Sequence, residues 1–121
     1  MNGVKYLLDS NIIIGLVKAN PSAIAMIQNL ELCHCAYASI TRMELLGFFG
    51  ITKEEKSNIA QLLDKMISIE LSRIVEEEVI ILRQQQKMKL PDAIILATAQ
   101  VFQLGLITLD KKLEKISKEQ L

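Results

Sequence analysis

The sequence predicts an α/β fold, a three-layer sandwich of helices on a parallel sheet. Three observations point to it. Short apolar runs bounded by turn residues recur along the chain, stretches with helical spacing separate them, and the two kinds alternate from end to end. The 121 residues fit one domain, and no repeat or linker interrupts them. A chain of this size buries roughly two-thirds of its unfolded surface, so it needs neither disulfide nor structural metal to fold.

Val4 to Leu8, between Gly3 and Asp9, has the look of a buried parallel strand. Ser10 and Asn11 start a helix through Ile12–Lys18. Pro21 and Ser22 open a second over Ala23–Asn29, with Ala23, Ile24, Ile27 and Leu30 on one side. Leu32 to Ala38 reads as the next strand. Thr41 to Phe49 has helical spacing closed by Gly47 and Gly50, and Lys53 to Met66 is amphipathic, with Ile59, Leu62, Leu63 and Met66 inward. Ile67, Ile69 and Leu71 alternate with Ser68 and Glu70 in strand period. Ser72 begins a helix that fades in Gln84-Gln85-Gln86. Pro91 starts the most apolar helix, to about Gln103, which should lie centrally. Gly105 ends it, Leu106 to Thr108 is the last strand, and Asp110 begins a terminal helix.

Composition excludes several classes of function. Half the residues are hydrophobic, which rules out disorder, and 14 basic residues balance 14 acidic ones, so no global charge draws the chain to nucleic acid or membranes. Asp9 breaks the first apolar run before a signal-peptide core forms. The longest uncharged run, Ala93 to Leu109, contains Thr98, Gln100, Gln103 and Gly105 and falls short of a membrane span. Cys33 and Cys35 would share the inward face of a strand, with His34 on the opposite face; two thiols fall short of the four ligands of a closed zinc site. The expectation is a cytoplasmic protein with free thiols and no membrane partner.

Four acids fall at element junctions. Asp9 ends the first strand, Asp110 follows the last by two residues, and Glu44 and Asp92 lie in the first turns of helices that run back against the strands. All four should therefore meet at the carboxyl rim of the sheet, where sites form in open α/β folds. Each has a local alternative. Thr41-x-x-Glu44 matches a capping box, Asp9 and Asp110 suit helix caps, and Asp92 beside Pro91 suits the positive end of a helix dipole. Capping alone does not require one rim. Two carboxylates about 4 Å apart repel by about 4 kcal/mol at an effective dielectric near 20. Such a cluster takes up protons or binds a cation, and an all-oxygen donor set favours Mg²⁺ or Mn²⁺, ions suited to phosphodiester hydrolysis.

Four segments carry a family resemblance: Tyr6-Leu-Leu-Asp-Ser-Asn-Ile12, Ser39-Ile-Thr-Arg-Met-Glu-Leu-Leu-Gly47, Lys89-Leu-Pro-Asp-Ala-Ile-Ile-Leu-Ala-Thr-Ala99 and Leu106-Ile-Thr-Leu-Asp110. In this order and at this length the chain resembles the PIN domain nucleases, especially the VapC-type toxins of prokaryotic toxin–antitoxin pairs. The resemblance implies a PIN-like three-layer α/β/α sandwich over residues 1–121, with a central, mostly parallel sheet of four to five short strands. It implies a metal-dependent endoribonuclease with Asp9 and Asp92 as principal metal ligands, Glu44 as a further acid and Asp110 as the fourth, more variable one. Ser10, Asn11 and Thr108 would be polar support. It also implies a homodimer and inhibition by an antitoxin threading into the site. The family's usual aromatic residue shortly after the fourth acid is absent, and Leu113 stands near that position.

Charge adds a substrate surface. Residues 83–121 hold seven basic and four acidic residues. Lys87 and Lys89 precede Asp92, and Lys111 and Lys112 follow Asp110, placed either to bind RNA phosphates or to form an ordinary solvated face. Arg42 either faces substrate or pairs with a rim acid. Competing readings are an RNA-maturation nuclease without antitoxin and a PIN-like module that binds but does not cut. A phosphoacceptor signalling domain fails on residue placement, because it would want an acid pair after the first strand, where Ser10 and Asn11 follow Asp9.

Overall fold

A computed structural model describes residues 3–119. The elements in chain order are β1 (Tyr6–Leu8), α1 (Ser10–Val17), α2 (Pro21–Ile27), a 3-10 turn (Leu32–His34), β2 (Cys35–Ala38), α3 (Ser39–Leu46) and α4 (Lys53–Leu63). They are followed by β3 (Ile67–Ile69), α5 (Arg73–Gln85), α6 (Leu90–Val101), β4 (Gly105–Ile107) and α7 (Lys111–Glu119). The four strands form a parallel sheet in the order β3-β2-β1-β4. This is the predicted α/β sandwich.

Strand period explains the layers. Side chains alternate across a strand, and here Leu8, Cys35 and Tyr37 enter one apolar cluster while Leu7, Ala36 and Ala38 enter the other. The first cluster is completed by Ile12 and Ile13 of α1, Leu45 of α3, and Ile59 and Leu63 of α4. The second is completed by Val75, Val79 and Leu82 of α5, most of α6, and Leu113 and Ile116 of α7. Helix α6 buries every residue from Ala93 to Ala99, and Thr98 satisfies its hydroxyl on the Ile94 carbonyl at 2.7 Å. Each fully buried Leu or Ile contributes about 1.5–3 kcal/mol, so both faces of the sheet are held by apolar packing.

The connections locate the rim. The chain steps from β1 to β2 to β3 in one direction, then crosses through α5 and α6 to β4 on the far side of β1. The direction of winding thus reverses between β1 and β4, the crevice where open α/β sheets place ligands. Asp9 extends that junction by donating its N–H to the Ile107 carbonyl at 2.9 Å. Helices α1 and α2 meet at a bend of 114°, with Ala19 left-handed at φ 55° in the turn between them. Gly15 allows the close approach, since a Cβ there would lie 2.7 Å from the Ala23 Cβ. Among the described residues no single helix is long and apolar enough to cross a membrane.

Several local expectations are corrected. The run Leu32–Ala38 is strand only from Cys35, because that residue pairs with Tyr6 and the three before it form the 3-10 turn. Cys33 is therefore exposed, while Cys35 is buried. Burial, then the neighbouring Cys33, pushes the Cys35 thiol above its ordinary pKa. Helix α3 starts at Ser39, directly off β2, and its N-cap Ala38 offers no side-chain bond, so Thr41 and Glu44 form no capping box. The reciprocal box belongs to Thr52 and Glu55 at the start of α4, and those hydrogen bonds hold the Glu55 carboxyl below its usual range. Glu44 is the sixth residue of α3 and lies in its second turn. On α2 only Ala23 is buried, with Ile24 exposed; the edge strand β3 buries only Ile69 and ends there, so Leu71 lies beyond it and, like Ile67, is exposed.

Candidate active site

Asp9 follows the last residue of β1 and caps α1. Its Oδ1 accepts from the Ser10 N–H at 2.7 Å, and its Oδ2 accepts from the Thr108 hydroxyl at 2.7 Å and the Asn11 amide at 3.3 Å. The side chain is buried, and each of its oxygens accepts at least one hydrogen bond, which offsets the cost of taking a polar group out of water. Asn11 also donates to the Thr108 hydroxyl at 3.2 Å and accepts from the Leu109 N–H at 3.0 Å. Thr108 in turn accepts from the Asp110 N–H at 3.0 Å. Asp9, Asn11 and Thr108 therefore tie the ends of β1 and β4 together.

Asp110 is exposed and caps α7, its Oδ1 accepting from the Lys112 and Leu113 N–H groups at 3.0 and 3.1 Å. Asp92 is the third residue of α6, whose start has no side-chain cap. Burial first, then the charges of Asp9 and of Asp110, pushes the half-buried Asp92 carboxyl above the ordinary aspartate value, against the opposing pull of Lys89 and Lys112. Glu44 joins through Ser10, whose hydroxyl lies 3.1 Å from Glu44 Oε1 and 3.3 Å from the Thr41 hydroxyl.

The fold thus brings Asp9, Asp92 and Asp110 into one electrostatic neighbourhood and links Glu44 to it by one side chain. The capping alternatives hold for Asp9 and Asp110 as well, so each of these acids serves the backbone and faces the rim. Among the described residues no three of the four acids bring ligand oxygens within 4.8 Å of one another. The donors fit a hard divalent ion: all are oxygens, and burial together with the nearby Asp9 and Asp110 disfavours the bare Asp92 carboxylate.

A cleft of about 640 Å³ opens beside Asp92 and Asp110. Lys87, Lys89 and Lys112 line it as the sequence suggested, with Met88, Leu113 and Ile116 as an apolar floor. Arg83 also lines it, and its Nε donates to the Met88 carbonyl at 3.4 Å. Sequence reasoning missed this residue, because it sits in the last turn of α5 just before the polar glutamines; its only signal was a cation one helical turn before Lys87. Lys111 points elsewhere, into a separate pocket with Asn20, Met26 and Leu109. Arg42 is exposed on α3 and lies outside the cleft.

An acid-rimmed parallel α/β sandwich with its carboxylates at the strand-order reversal is a class of fold suited to holding a divalent ion. Residues 6–119 match the model of the PIN domain, and the chain belongs to that family, whose members are generally nucleases using divalent metals. It is similar to a chain of a toxin–antitoxin complex from Klebsiella pneumoniae, with 36% identity over 89% of this chain and 88% of that one, and a TM-score of 0.79. VapBC2 from Rickettsia felis, bound to a DNA fragment from its promoter, shares the fold at 22% identity, with 93% of each chain covered and a TM-score of 0.78. FitAcB from Neisseria gonorrhoeae does so at 21% identity, again over 93% of each chain, with a TM-score of 0.73. No curated protein gives a significant match.

Proposed function

We propose that residues 1–121 act as one nuclease domain that hydrolyses RNA phosphodiester bonds with Mg²⁺ or Mn²⁺, and that the protein is the toxin of a toxin–antitoxin pair. The observation that carries the chemistry is Asp92, a half-buried carboxyl pressed by the charges of Asp9 and Asp110 beside a cleft lined with cations. The toxin role rests on the 36% identity to the Klebsiella pneumoniae toxin–antitoxin complex. In this reading the protein works in the cytoplasm as a homodimer, and a partner antitoxin occupies the site in place of RNA.

Asp9 and Asp92 are the principal metal ligands, with Glu44 and Asp110 completing the acid set. When bound, the ion supplies Lewis acidity: it draws charge from a phosphate oxygen and lowers the pKa of the attacking water. Ser10, Asn11 and Thr108 hold the ligands in place, Thr108 by its short bond to Asp9. Lys87, Lys89, Lys112 and Arg83 bind phosphates flanking the scissile one, with Lys111 and Arg42 as outlying contacts. Water oxygen adds to phosphorus as the bond to the leaving oxygen breaks, the water giving up a proton to solvent and the leaving oxygen taking one from it, without a covalent enzyme intermediate.

The test is cleavage of labelled tRNAs and structured RNAs with Mg²⁺, Mn²⁺ or EDTA, using wild type and Asp92→Asn purified side by side. Metal-dependent cutting by wild type alone is the expected result, and Asp9→Asn should behave like Asp92→Asn. Wild-type-like cutting by either folded variant removes the assignment. Metal-dependent cutting without a DNA-binding antitoxin encoded nearby favours an RNA-maturation nuclease. A wild-type protein that binds no divalent ion is a non-catalytic binding module.

A further inference from the structure

The turn that enters β2 carries a second constellation, at the opposite edge of the sheet from the acids. Glu31 precedes the 3-10 turn as its N-cap, and Cys33 and His34 lie within it. Glu31 Oε2 is 3.8 Å from Cys33 Sγ and 3.6 Å from His34 Nδ1. All three donor atoms fall within 4.8 Å of one another. In a tetrahedral zinc site, with sulfur at about 2.3 Å and nitrogen or oxygen at about 2.0–2.1 Å, neighbouring ligands are roughly 3.3–3.6 Å apart. The two separations from Glu31 exceed those edges by only a few tenths of an ångström, and the Cys33 and His34 donors lie within 4.8 Å of each other.

The backbone beneath these side chains is already fixed. His34 donates its N–H to the Glu31 carbonyl at 2.9 Å, and the Cys35 thiol reaches the same carbonyl at 3.5 Å. The His34 carbonyl accepts from the Lys5 N–H at 2.8 Å, which ties the turn to the start of β1. Closing the three donors on an ion therefore falls to side-chain rotation of Cys33 and His34 about a backbone already held by hydrogen bonds. Glu31 and Cys33 are exposed and His34 is half-buried, so an ion has access from solvent. Hard ions such as Mg²⁺ do not select a sulfur–nitrogen–oxygen set, whereas Zn²⁺ does.

We propose that Glu31, Cys33 and His34 hold one Zn²⁺, with the fourth position open to water. Binding replaces the Cys33 thiol proton, which passes to solvent, by a sulfur–zinc bond, and His34 ligates as the neutral imidazole. The ion fastens the 3-10 turn to the amino ends of β1 and β2. It is independent of the ion at the acidic rim.

The test uses Co²⁺ as a spectroscopic stand-in for zinc with the reduced full chain. A thiolate-to-cobalt charge-transfer band should appear, saturate at one equivalent and vanish when Zn²⁺ is added. An ion held only by the rim carboxylates gives no such band. Cys33→Ser, at an exposed position that leaves the fold intact by circular dichroism, should abolish the band, and His34→Gln should weaken Co²⁺ binding by roughly tenfold or more. Absence of the band in wild type, or its survival in Cys33→Ser, overturns the proposal.

Discussion

Removing the Thr108 hydroxyl tests how the acidic rim is held together. This residue is 2% exposed, and three hydrogen bonds converge on its oxygen: one donated to Asp9 Oδ2 at 2.7 Å and two accepted, from Asn11 at 3.2 Å and the Asp110 N–H at 3.0 Å. Thr108→Val keeps the shape and opens no cavity. The bond to the buried carboxylate is charge-assisted and contributes about 1.5–3 kcal/mol, and each neutral bond about 0.5–1.5 kcal/mol. Asn11 retains its contact with Asp9, so the expected loss is about 3–4 kcal/mol. A stability of about 5–15 kcal/mol leaves the variant folded but weakened. Thr108→Ser is the control, losing a methyl group and about 1 kcal/mol. Urea denaturation in EDTA at neutral pH measures both through the midpoint at constant slope. A valine variant within about 1 kcal/mol of the serine one would show that the hydroxyl does not bind the strand ends, and the reasoning fails.

The raised Asp92 carboxyl gives a pH dependence of definite sign. Because its native pKa lies above the ordinary 3.8, the native state holds the proton more tightly, so the stability from this group is full below that value and falls as pH rises through the native one. In EDTA at pH 7, Asp92→Asn should therefore melt higher than wild type, with the gap closing on acidification; a lower melting temperature at pH 7 contradicts the repulsion. Added Mg²⁺ should raise the melting temperature of wild type more than that of the variant, by linkage to the folded state; equal shifts would place the ion elsewhere. Gly15→Ala puts a Cβ 2.7 Å from that of Ala23 and should cost about 1–2 kcal/mol after the helix-propensity gain, with Ala23→Gly restoring it in the double variant. Thr52→Ala removes the capping box at the start of α4 and should lower stability by about 1 kcal/mol, read from the same urea curves.

Much of this molecule is legible in its sequence because apolar blocks end abruptly in acids. Leu7 and Leu8 run into Asp9, Pro91 into Asp92 and a buried helix, and Leu109 into Asp110, so burial pattern alone carries these groups to one edge of a parallel sheet. Neighbours in space were harder to read than neighbours in sequence. Leu32-Cys33-His34 has strand-forming residue types but no facing strand, and an unpaired segment gains nothing from staying extended. Thr41 has the spacing of a cap, yet the chain turns from β2 straight into helix at Ser39 and leaves Thr41 buried one turn too late. The position of Arg83 in the cleft depends on how the segment after α5 folds back toward α6, which has no periodic signature.

The pairing of the first strand with the last has a consequence during synthesis. Asp9 leaves the ribosome 99 residues ahead of its partner Thr108. Contacts so distant in sequence form late, and domains fold as units once their chain is available. A growing polypeptide therefore carries an incomplete rim until β4 has emerged and docked beside β1. Whatever chemistry that edge performs is withheld from the translating machinery nearest to it until the last strand of the sheet has been made.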